Sequence, residues 1–402
     1  MAKQVQEAYI VAATRTPIGR SHKGFFRNTR PDDLLATVLR SALAQVPGLD
    51  PASIEDVICG CAIPEAQQGL NIARVGAVLA GLPKSVGGIT VNRFCASGIS
   101  AVQMAADRIR VGEADVMIAA GTESMSMVPM MGNSPNLSPA IFSDTDNVDN
   151  YGIAYGMGLT AEKVAAQWKI SREAQDEFAY ASHMKALAAM KAGHFANEMT
   201  TVEVTDRNVD LTSAEVTTTT RSVSLDEGAR PDTTVEGLAK LRAVFSARGS
   251  VTAGNSSQTS DGAGALILVS EAALKRYNLT PLAKFSSYAS RGVPPHIMGI
   301  GPIEAIPAAL KYAGLKHSDI DWCELNEAFA AQSLAVMNTL GLDPSKVNPM
   351  GGAIALGHPL GATGAIRAAT VVHALQRNKL KYGMVTMCVG MGQGAAGIFE
   401  RV

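Results

Sequence analysis

The two ends of this 402-residue chain carry the same short blocks in the same order, separated by a constant distance. Residues 48–57 match residues 314–323, an offset of 314 − 48 = 266. Residues 95–98 match residues 361–364, and 364 − 98 is again 266. Several blocks held at one offset indicate an internal duplication, because chance similarity between glycine-rich turns would not preserve the spacing.

Each copy alternates short apolar strands with helices of 3.6-residue periodicity. The alternation predicts a mainly parallel sheet, or a repeated pair of such sheets, covered by helices on both faces. In the first copy, strands are predicted at residues 8–13, 57–58, 89–91 and 116–120, and helices at 34–44 and 99–109; in the second, a helix is predicted at 365–375 and a strand at 384–387.

One long segment interrupts the first copy. Residues 261–267 resemble residues 393–399, which follow Gly390 almost at once, whereas in the first copy this block is delayed from Gly121 to about Val251. The delayed stretch contains an amphipathic helical pattern at about 160–192 and a threonine-rich strand region near 200–220. The predicted division is a first half at 1–121 and 251–275, an inserted loop domain at 122–250, and a second half at 276–402.

Composition excludes several classes of function. A net charge of −1 and 5% aromatic residues argue against nucleic-acid binding. No window offers the roughly 18 apolar residues that a membrane span needs, and residues 1–7 lack the apolar core of a signal peptide. Five scattered cysteines form no disulfide framework, and the C-x-C spacing of Cys59 and Cys61 does not predict a metal site. We therefore expect a cytoplasmic protein that binds neither membranes nor metals.

Cys95 follows a predicted strand and precedes a predicted helix. A cysteine at a helix N-terminus faces free N–H groups and the positive end of the helix dipole, and both favour the nucleophilic thiolate. The turn would also expose the side chain at the carboxyl edge of the sheet, where α/β proteins bind ligands. The alternative is a buried structural cysteine.

His358 lies in the glycine-rich loop at 351–361, just before the position that pairs with Cys95 at the common offset. If the two helix starts meet near a two-fold axis, His358 approaches Cys95 and a nucleophile–base pair results. Cys388 follows a predicted strand and should lie near the same axis, where a second thiol would separate nucleophilic from acid–base roles. The alternatives are a turn-stabilising or exposed histidine and a disulfide-bonded cysteine.

Two further motifs lie in the second copy. Asn326 follows a repeated strand, where its amide could hold a water or donate to an oxyanion, or could simply cap a turn. Residues 392–397 read G-x-G-x-x-G, but so few residues follow that no helix can receive a pyrophosphate. A turn between two apolar strands is the better interpretation of that motif.

Four blocks in order resemble the thiolase family, over essentially the whole chain. They are residues 92–98 (Asn-Arg-Phe-Cys-Ala-Ser-Gly), 326–329 (Asn-Glu-Ala-Phe), 351–359 (Gly-Gly-Ala-Ile-Ala-Leu-Gly-His-Pro) and 388–394 (Cys-Val-Gly-Met-Gly-Gln-Gly). The resemblance implies an α/β fold of the duplicated, five-layered α-β-α-β-α type with an inserted loop domain, assembled as a homodimer or homotetramer. It also implies acyl transfer by thiolytic cleavage of a 3-ketoacyl-CoA with CoA, as in fatty acid β-oxidation.

The resemblance also implies a role for each residue of the site. Cys95 looks like the acylated nucleophile and His358 like its activating base and an oxyanion donor. Cys388 looks like the acid–base group at the acetyl-CoA α-carbon, and Asn326 like the holder of an oxyanion-hole water. The backbone N–H groups of Cys95 and Gly390 look like a second oxyanion hole.

Coenzyme A is expected as a substrate, with no tightly bound cofactor and no metal. By resemblance, Ser257 would meet the pantetheine, Phe245 would line its tunnel, and Arg230 would lie near the nucleotide end. Met157 and Met298 would flank the acyl pocket. The predicted CoA and substrate contacts are Arg230, Phe245, Ser257, Met157, Met298 and Phe329.

The sequence motifs indicate the chemistry of the family more clearly than they distinguish its degradative branch from its biosynthetic branch. Some short-chain biosynthetic members carry a histidine where this chain has Gly156, and residues 92–93 and 256–258 look more like the degradative branch. The alternative is a biosynthetic acetoacetyl-CoA thiolase (acetyl-CoA acetyltransferase). A ketoacyl synthase is disfavoured because such enzymes usually carry histidine in place of Cys388, and a non-catalytic lipid- or CoA-binding scaffold would require an inert Cys95. A β-oxidation partner subunit is compatible with the resemblance.

Overall fold

The computed structural model describes residues 5–144 and 146–402. Residues 1–4, part of the segment for which no signal peptide is predicted, and residue 145 of the predicted insertion lie outside the described residues. The strands, in chain order, are β1 (Tyr9–Arg15), β2 (Gly19–Arg20), β3 (Asp56–Gly60), β4 (Ile89–Val91), β5 (Val116–Ser124), β6 (Val202–Val209), β7 (Val216–Val223), β8 (Ser260–Val269), β9 (Ala283–Gly292), β10 (Trp322–Leu325), β11 (Tyr382–Val389) and β12 (Gln393–Arg401).

The helices confirm the elements predicted at 34–44, 99–109 and 365–375. They are α1 (Pro31–Ala44), α2 (Ile72–Leu79), α3 (Ser97–Arg110), α4 (Ala140–Ser143), α5 (Val148–Gly152), α6 (Met157–Gln167), α7 (Arg172–Lys191), α8 (Val235–Ala239), α9 (Glu271–Tyr277), α10 (Gly301–Ala313), α11 (Ala330–Leu340), α12 (Ala353–Leu356) and α13 (Leu360–Asn378).

The duplication appears in the strand order. The first half runs β3-β5-β8-β1 and the second β10-β11-β12-β9, so each strand has a counterpart. The register keeps the offset, because Asp56 lies opposite Met117 and Trp322 lies opposite Gly383, and both 322 − 56 and 383 − 117 equal 266. A short antiparallel contact between β1 and β9 joins the two halves into one hydrogen-bonded series of strands.

The prediction of a mainly parallel sheet is wrong. The pairs β3–β4, β3–β5 and β10–β11 are parallel, whereas the other pairs of this sheet are antiparallel. The physical reason is the connection after β11, which is a tight turn with positive φ at Met391 and Gly392. A turn this short cannot make the crossover that parallel strands require, so β12 returns antiparallel. In the first half the insertion separates β5 from β8 and hides the same antiparallel relation.

Two boundaries within and beside the insertion also differ from prediction. The helix predicted at 160–192 is two helices, α6 and α7, because Lys169 adopts a left-handed φ of 55° and the Ser171 side chain accepts from Ala174 N to cap α7. The strand expected to end at Gly121 continues as β5 to Ser124. The threonine-rich region forms the antiparallel pair β6–β7, as predicted. The proposed three-part division of the chain stays a prediction.

Helices α3 and α13 form the central layer of the molecule. Helix α13 packs on β5 and β8 of the first half and on β10 and β11 of the second. Helices α1 and α2 cover the outer face of the first half, and α10 and α11 lie against the second. The layers follow the predicted α-β-α-β-α order. Among the described helices, none combines the length and apolarity needed to cross a membrane.

The two central helices cross at Gly98 and Gly364, which are equivalent under the 266-residue offset. A Cβ on Gly98 would lie 2.5 Å from Ala365 N, and one on Gly364 would lie 2.8 Å from the carbonyl carbon of Gly98 and collide with Ile99 N. The obstructing atoms belong to backbone, which cannot rotate away. The helix starts therefore approach each other as closely as backbones allow.

We predict that Gly364→Ala lowers the free energy of unfolding by about 1–3 kcal/mol, because overpacking in a well-packed core costs that much. Denaturant unfolding measures the change. Gly292→Ala is the control, since its Cβ would meet its nearest neighbour only at 4.0 Å. Equal stability of the two variants would contradict the close crossing.

Candidate active site

Cys95 lies on a strained turn between β4 and α3. The preceding Phe94 has a positive φ of 41°, which is unusual for a bulky residue. The turn is held because Phe94 N donates to Asn92 Oδ1 at 2.8 Å and the Ser97 hydroxyl donates to Phe94 O at 2.7 Å. Strain of this kind persists where surrounding bonds over-determine the geometry, as they do here.

The Cys95 thiol is neutral at rest. Burial raises its pKa to about 12, and the negative charge of Glu123 adds to the rise. The backbone N–H groups of Gly390 and Cys95 itself oppose it. The N–H groups act in the expected direction, but removal of water from a nearly buried sulfur outweighs them. Attack by this sulfur needs a base.

The hydrogen bonds of His358 define its tautomer. The Thr363 hydroxyl donates to Pro359 O at 3.1 Å, so its oxygen is free to accept from His358 Nδ1 at 2.6 Å. The proton therefore resides on Nδ1, and Nε2 presents a lone pair towards Asn326 Nδ2 at 3.3 Å. Burial and the Arg367 charge lower the pKa of His358 to about 3. The imidazole is neutral, with Nε2 available as a base.

Cys388 and Asn326 lie beside this pair. Cys388, near the end of β11, is fully buried. Its pKa is raised mainly by burial and, to a smaller extent, by the neighbouring Cys95. Both thiols are free, so no disulfide joins them. The Asn326 Oδ1 atom is buried without a hydrogen-bond partner among the described residues, which leaves an acceptor for a water at this position.

A cavity of about 620 Å³ opens onto Cys95 and His358. Its wall includes Phe245 and Phe329, whose rings pack edge to face with centroids 6.1 Å apart. Most of its lining is apolar, and methionine is the commonest residue type. The lining includes the predicted Met157, Met298, Phe245, Ser257 and Phe329, together with Met125, Met130, Met131, Leu159 and Leu360.

Arg230 is the predicted contact that does not line the cavity. Its side chain is exposed, and its backbone N donates to His183 Nδ1 at 3.2 Å. A contact at the nucleotide end of a long ligand would lie away from the reactive sulfur, so the proposed role of Arg230 stays a prediction. Gly390 does reach the site, since its N–H points at the Cys95 sulfur.

Two residues of the site were not predicted from the sequence. Thr363 orients His358, and the repeat contains the signal, because Thr363 pairs with Ser97 at the common offset and both hydroxyls donate to a backbone oxygen before their helix. Glu123 was missed because β5 was predicted to end at Gly121, which assigned this carboxylate to the inserted loops. The site is thus built from both halves of the repeat.

Two family models match almost the whole chain. The model described as thiolase, N-terminal domain, matches residues 8–272, and that described as thiolase, C-terminal domain, matches residues 279–401. The chain is 49% identical over 400 residues to the 3-ketoacyl-CoA thiolase of Bacillus subtilis (strain 168), which covers 98% of this chain and 100% of that relative.

Solved structures show the same similarity. Human mitochondrial 3-ketoacyl-CoA thiolase in complex with CoA matches with a TM-score of 0.86 and 38% identity, covering 99% of this chain and 98% of that chain. The acetyl-CoA acetyltransferase of Bacillus anthracis matches with a TM-score of 0.88 and 37% identity over 100% of both chains. Sequence and structure therefore agree on one family along the full length.

Proposed function

The chain belongs to the thiolase family, and we propose that it is an acetyl-CoA acyltransferase that cleaves 3-ketoacyl-CoA with CoA. The products are acetyl-CoA and a shortened acyl-CoA, and the reverse reaction is a Claisen condensation, as in fatty acid β-oxidation and lipid metabolism. The observation that carries the proposal is the pairing of a buried cysteine with a neutral imidazole at an apolar cavity. Full-length relatives named 3-ketoacyl-CoA thiolase support it.

The first step forms the acyl-enzyme. His358 Nε2 takes the proton of the Cys95 thiol, and the sulfur lone pair forms a bond to the C3 carbonyl of the substrate. The N–H groups of Cys95 and Gly390 point at the sulfur and are placed to stabilise the oxyanion that develops beside it. Collapse of this intermediate breaks the C2–C3 bond and leaves the acyl group on Cys95.

The departing fragment is the enolate of acetyl-CoA. Its oxygen needs donors away from the sulfur; we assign these to protonated His358 and a water held by Asn326, whose free acceptor suits such a water. Cys388 gives its proton to the enolate carbon. The resulting thiolate then takes the proton of the incoming CoA, whose sulfur attacks the Cys95 thioester. The bond between Cys95 and the acyl group breaks, Cys95 recovers its proton from His358, and the shortened acyl-CoA is released.

Coenzyme A is the substrate that this chemistry requires, and we assign Ser257 and Phe245 to its pantetheine arm. Both line the cavity that leads to Cys95. Met157, Met298 and Phe329 would contact the acyl chain. Arg230 would lie outside the cavity, near the nucleotide.

We also propose a homodimer or homotetramer in the cytoplasm. Apolar side chains remain exposed at the free edge of β4 and on the adjacent α2, including Ile89, Val78 and Leu79, and a second copy would cover them. The five free cysteines fit a reducing compartment. A β-oxidation partner subunit is a further candidate for association.

A biosynthetic acetoacetyl-CoA thiolase is the second candidate function. It is supported by the similarity to the Bacillus anthracis acetyl-CoA acetyltransferase. The two functions share every step above and differ in the acyl group accepted. The apolar cavity favours the degradative function, because a two-carbon acyl group would leave much of that surface in contact with water.

We predict that incubation with a 3-ketoacyl-CoA adds one acyl group to the protein, because Cys95 holds the intermediate. Intact-mass spectrometry measures the adduct, which should be absent in Cys95→Ser. Cys323→Ala is the control, since this thiol is buried in another part of the second half. An active wild-type enzyme without an adduct, or an adduct retained in Cys95→Ser, would contradict the mechanism.

A second prediction concerns Cys388. The variant Cys388→Ala should still be acylated by an acyl-CoA donor, because Cys95 and His358 remain. It should lose exchange of the α-protons of acetyl-CoA with deuterated water, by about a hundredfold or more, since general acid–base groups contribute at that level. Proton NMR follows the exchange, with Cys323→Ala again as the control. Normal exchange in Cys388→Ala would remove this residue from the acid–base role.

A third prediction distinguishes the two candidate functions. Each buried methylene contributes about 0.8 kcal/mol, so kcat/KM should rise by about tenfold or more between four- and eight-carbon 3-ketoacyl-CoAs. Met130→Trp, which narrows the cavity from its half-exposed rim, should reduce kcat/KM for the eight-carbon substrate selectively.

Val209→Trp is the control for that variant, because it adds the same ring on the exposed β6–β7 pair. Steady-state thiolysis assays measure all three proteins. A maximum at acetoacetyl-CoA would instead support the biosynthetic function.

A further inference from the structure

Glu123 is a buried carboxylate that joins the two halves of the repeat. It lies near the end of β5, with 1% of its surface exposed. Its Oε2 accepts from Ala62 N at 2.7 Å, in the first half, and from Gly361 N at 2.8 Å, in the second. Its Oε1 accepts from the Gln68 amide and from Ile63 N at 3.4 Å. All of these partners are donors, which is the environment that suits an ionised carboxylate.

The repeat relates this carboxylate to the catalytic sulfur. Gly361 is the counterpart of Cys95, because 361 − 95 = 266, and each residue lies at the start of a central helix. The N–H group of Cys95 at the first helix start and that of Gly390, directly after β11, interact with the Cys95 sulfur beside the cavity. At the second helix start the Gly361 N–H points at Glu123. The Glu123 carboxylate therefore occupies the start of α13, whereas the start of α3 is left for the substrate oxyanion.

The same contact bears on His358. Gly361 is three residues beyond His358, and a Cβ on Gly361 would lie 2.7 Å from Glu123 Oε2 and 2.5 Å from Ala62 N, so this backbone is held tightly. The opposite side of the loop is held by His358 N, which donates to Ser260 Oγ at 3.1 Å. Loss of the Glu123 contact would free the loop on the side that faces the first half.

The charged and titratable groups around the sulfur come from four elements. Glu123 on β5 and Cys388 on β11 face Cys95, and His358 faces the same cavity from the loop before α13. Cys59 on β3 and Cys61 directly after it are also near Glu123, with the Cys61 sulfur 3.9 Å from Glu123 Oε1. Both thiols are held neutral by burial, which raises their pKa. Burial raises the pKa of Glu123 as well, and its N–H partners and the Gln68 amide oppose that rise because they stabilise the carboxylate. Glu123 is thus the acidic group of this set whose charged form is held by hydrogen bonds.

We propose that Glu123 is a positioning residue that holds the His358 loop against the first half, and that its carboxylate adds to the burial that disfavours a thiolate at Cys95 before substrate arrives. A nearby negative charge destabilises the thiolate of Cys95 but leaves the uncharged thioester unaffected. It therefore favours the acyl-enzyme over its reversal to thiolate. When the sulfur bonds to the substrate carbonyl, its proton passes to His358 Nε2, and the negative charge develops on the carbonyl oxygen rather than on the sulfur.

The test compares Glu123→Gln, which removes the charge at constant size, with Glu123→Asp, which keeps the charge but withdraws it by one methylene. Glu55→Gln is the matched control, because Glu55 accepts from Asp115 N and Val116 N at the opposite end of β5. Alkylation of Cys95 by iodoacetamide at pH 8, without substrate, is followed by peptide mass spectrometry. Kinetic constants for thiolysis are measured on the same proteins.

We expect Glu123→Gln to be alkylated about threefold faster than wild type, because loss of the neighbouring negative charge lowers the pKa of Cys95. Its kcat should fall by about tenfold or more, with KM little changed, because the base is misplaced. Glu123→Asp should lose kcat but keep the wild-type alkylation rate, and Glu55→Gln should match wild type in both.

An alkylation rate in Glu123→Gln that is unchanged or slower would overturn the proposal, as would faster alkylation of Glu123→Asp or of Glu55→Gln. If the glutamine variant does not fold, the kcat of Glu123→Asp still tests the positioning role, and a kcat equal to that of wild type would overturn it. The kinetic arm rests on the proposed function, whereas the alkylation arm does not. A wild-type protein without thiolysis activity would therefore refute the proposed function and leave the effect of the charge on Cys95 measurable.

Discussion

The crossing of α3 and α13 at Gly98 and Gly364 is the contact on which the rest of the structure depends. Backbone packs directly on backbone there, so the two helix starts approach more closely than any larger residue would allow. The loop before each helix is consequently drawn to the centre of the molecule. Cys95 is contributed by one half and His358 by the other, so neither half alone holds the complete site, which forms where the two halves meet.

A site at the centre of the molecule is shielded from water, and this burial determines the protonation states of its cysteines and histidine. Burial raises the pKa of Cys95 and Cys388 and lowers that of His358, so all three groups are neutral before substrate binds. A thiolate–imidazolium pair formed in advance would leave two charges in a medium that solvates them poorly. The structure instead favours proton transfer in step with bond formation, with N–H groups already aimed at the positions where charge develops.

Much of this arrangement could be predicted from the sequence, because residues separated by the constant offset occupy equivalent positions in the two halves of the fold. The constant offset predicted that position 361 would lie opposite position 95, and the helix starts do meet. The antiparallel pairing of β8 with β5 and of β12 with β11 could not be predicted from alternating strands and helices. The direction of a strand depends on the length of the connection before it, and the long segment between β5 and β8 obscures that length in the first half. The Lys169 break between α6 and α7 depends on a left-handed backbone angle at a residue type that rarely adopts one. Glu123 was not predicted as a site residue because Gly121 was interpreted as the end of β5, which in fact continues to Ser124.

The segment predicted to be an insertion, residues 122–250, is joined to β1 by backbone hydrogen bonds and by a buried ion-pair network. The fully buried Arg15 on β1 binds Asp226 through two hydrogen bonds of 2.8 and 2.9 Å, and its Nε donates to Glu198 at 2.6 Å. Removing one partner of such a group typically costs about 3–5 kcal/mol, because a buried charge is left uncompensated. The inserted segment also supplies cavity walls such as Met157 and Phe245, while Cys95, His358 and Cys388 belong to the duplicated halves. Part of the cavity wall therefore rests on a segment that carries none of the reactive groups, whereas Ser257, Met298 and Phe329 line the cavity from the two halves. The first part of the wall can change in shape without moving the reactive groups.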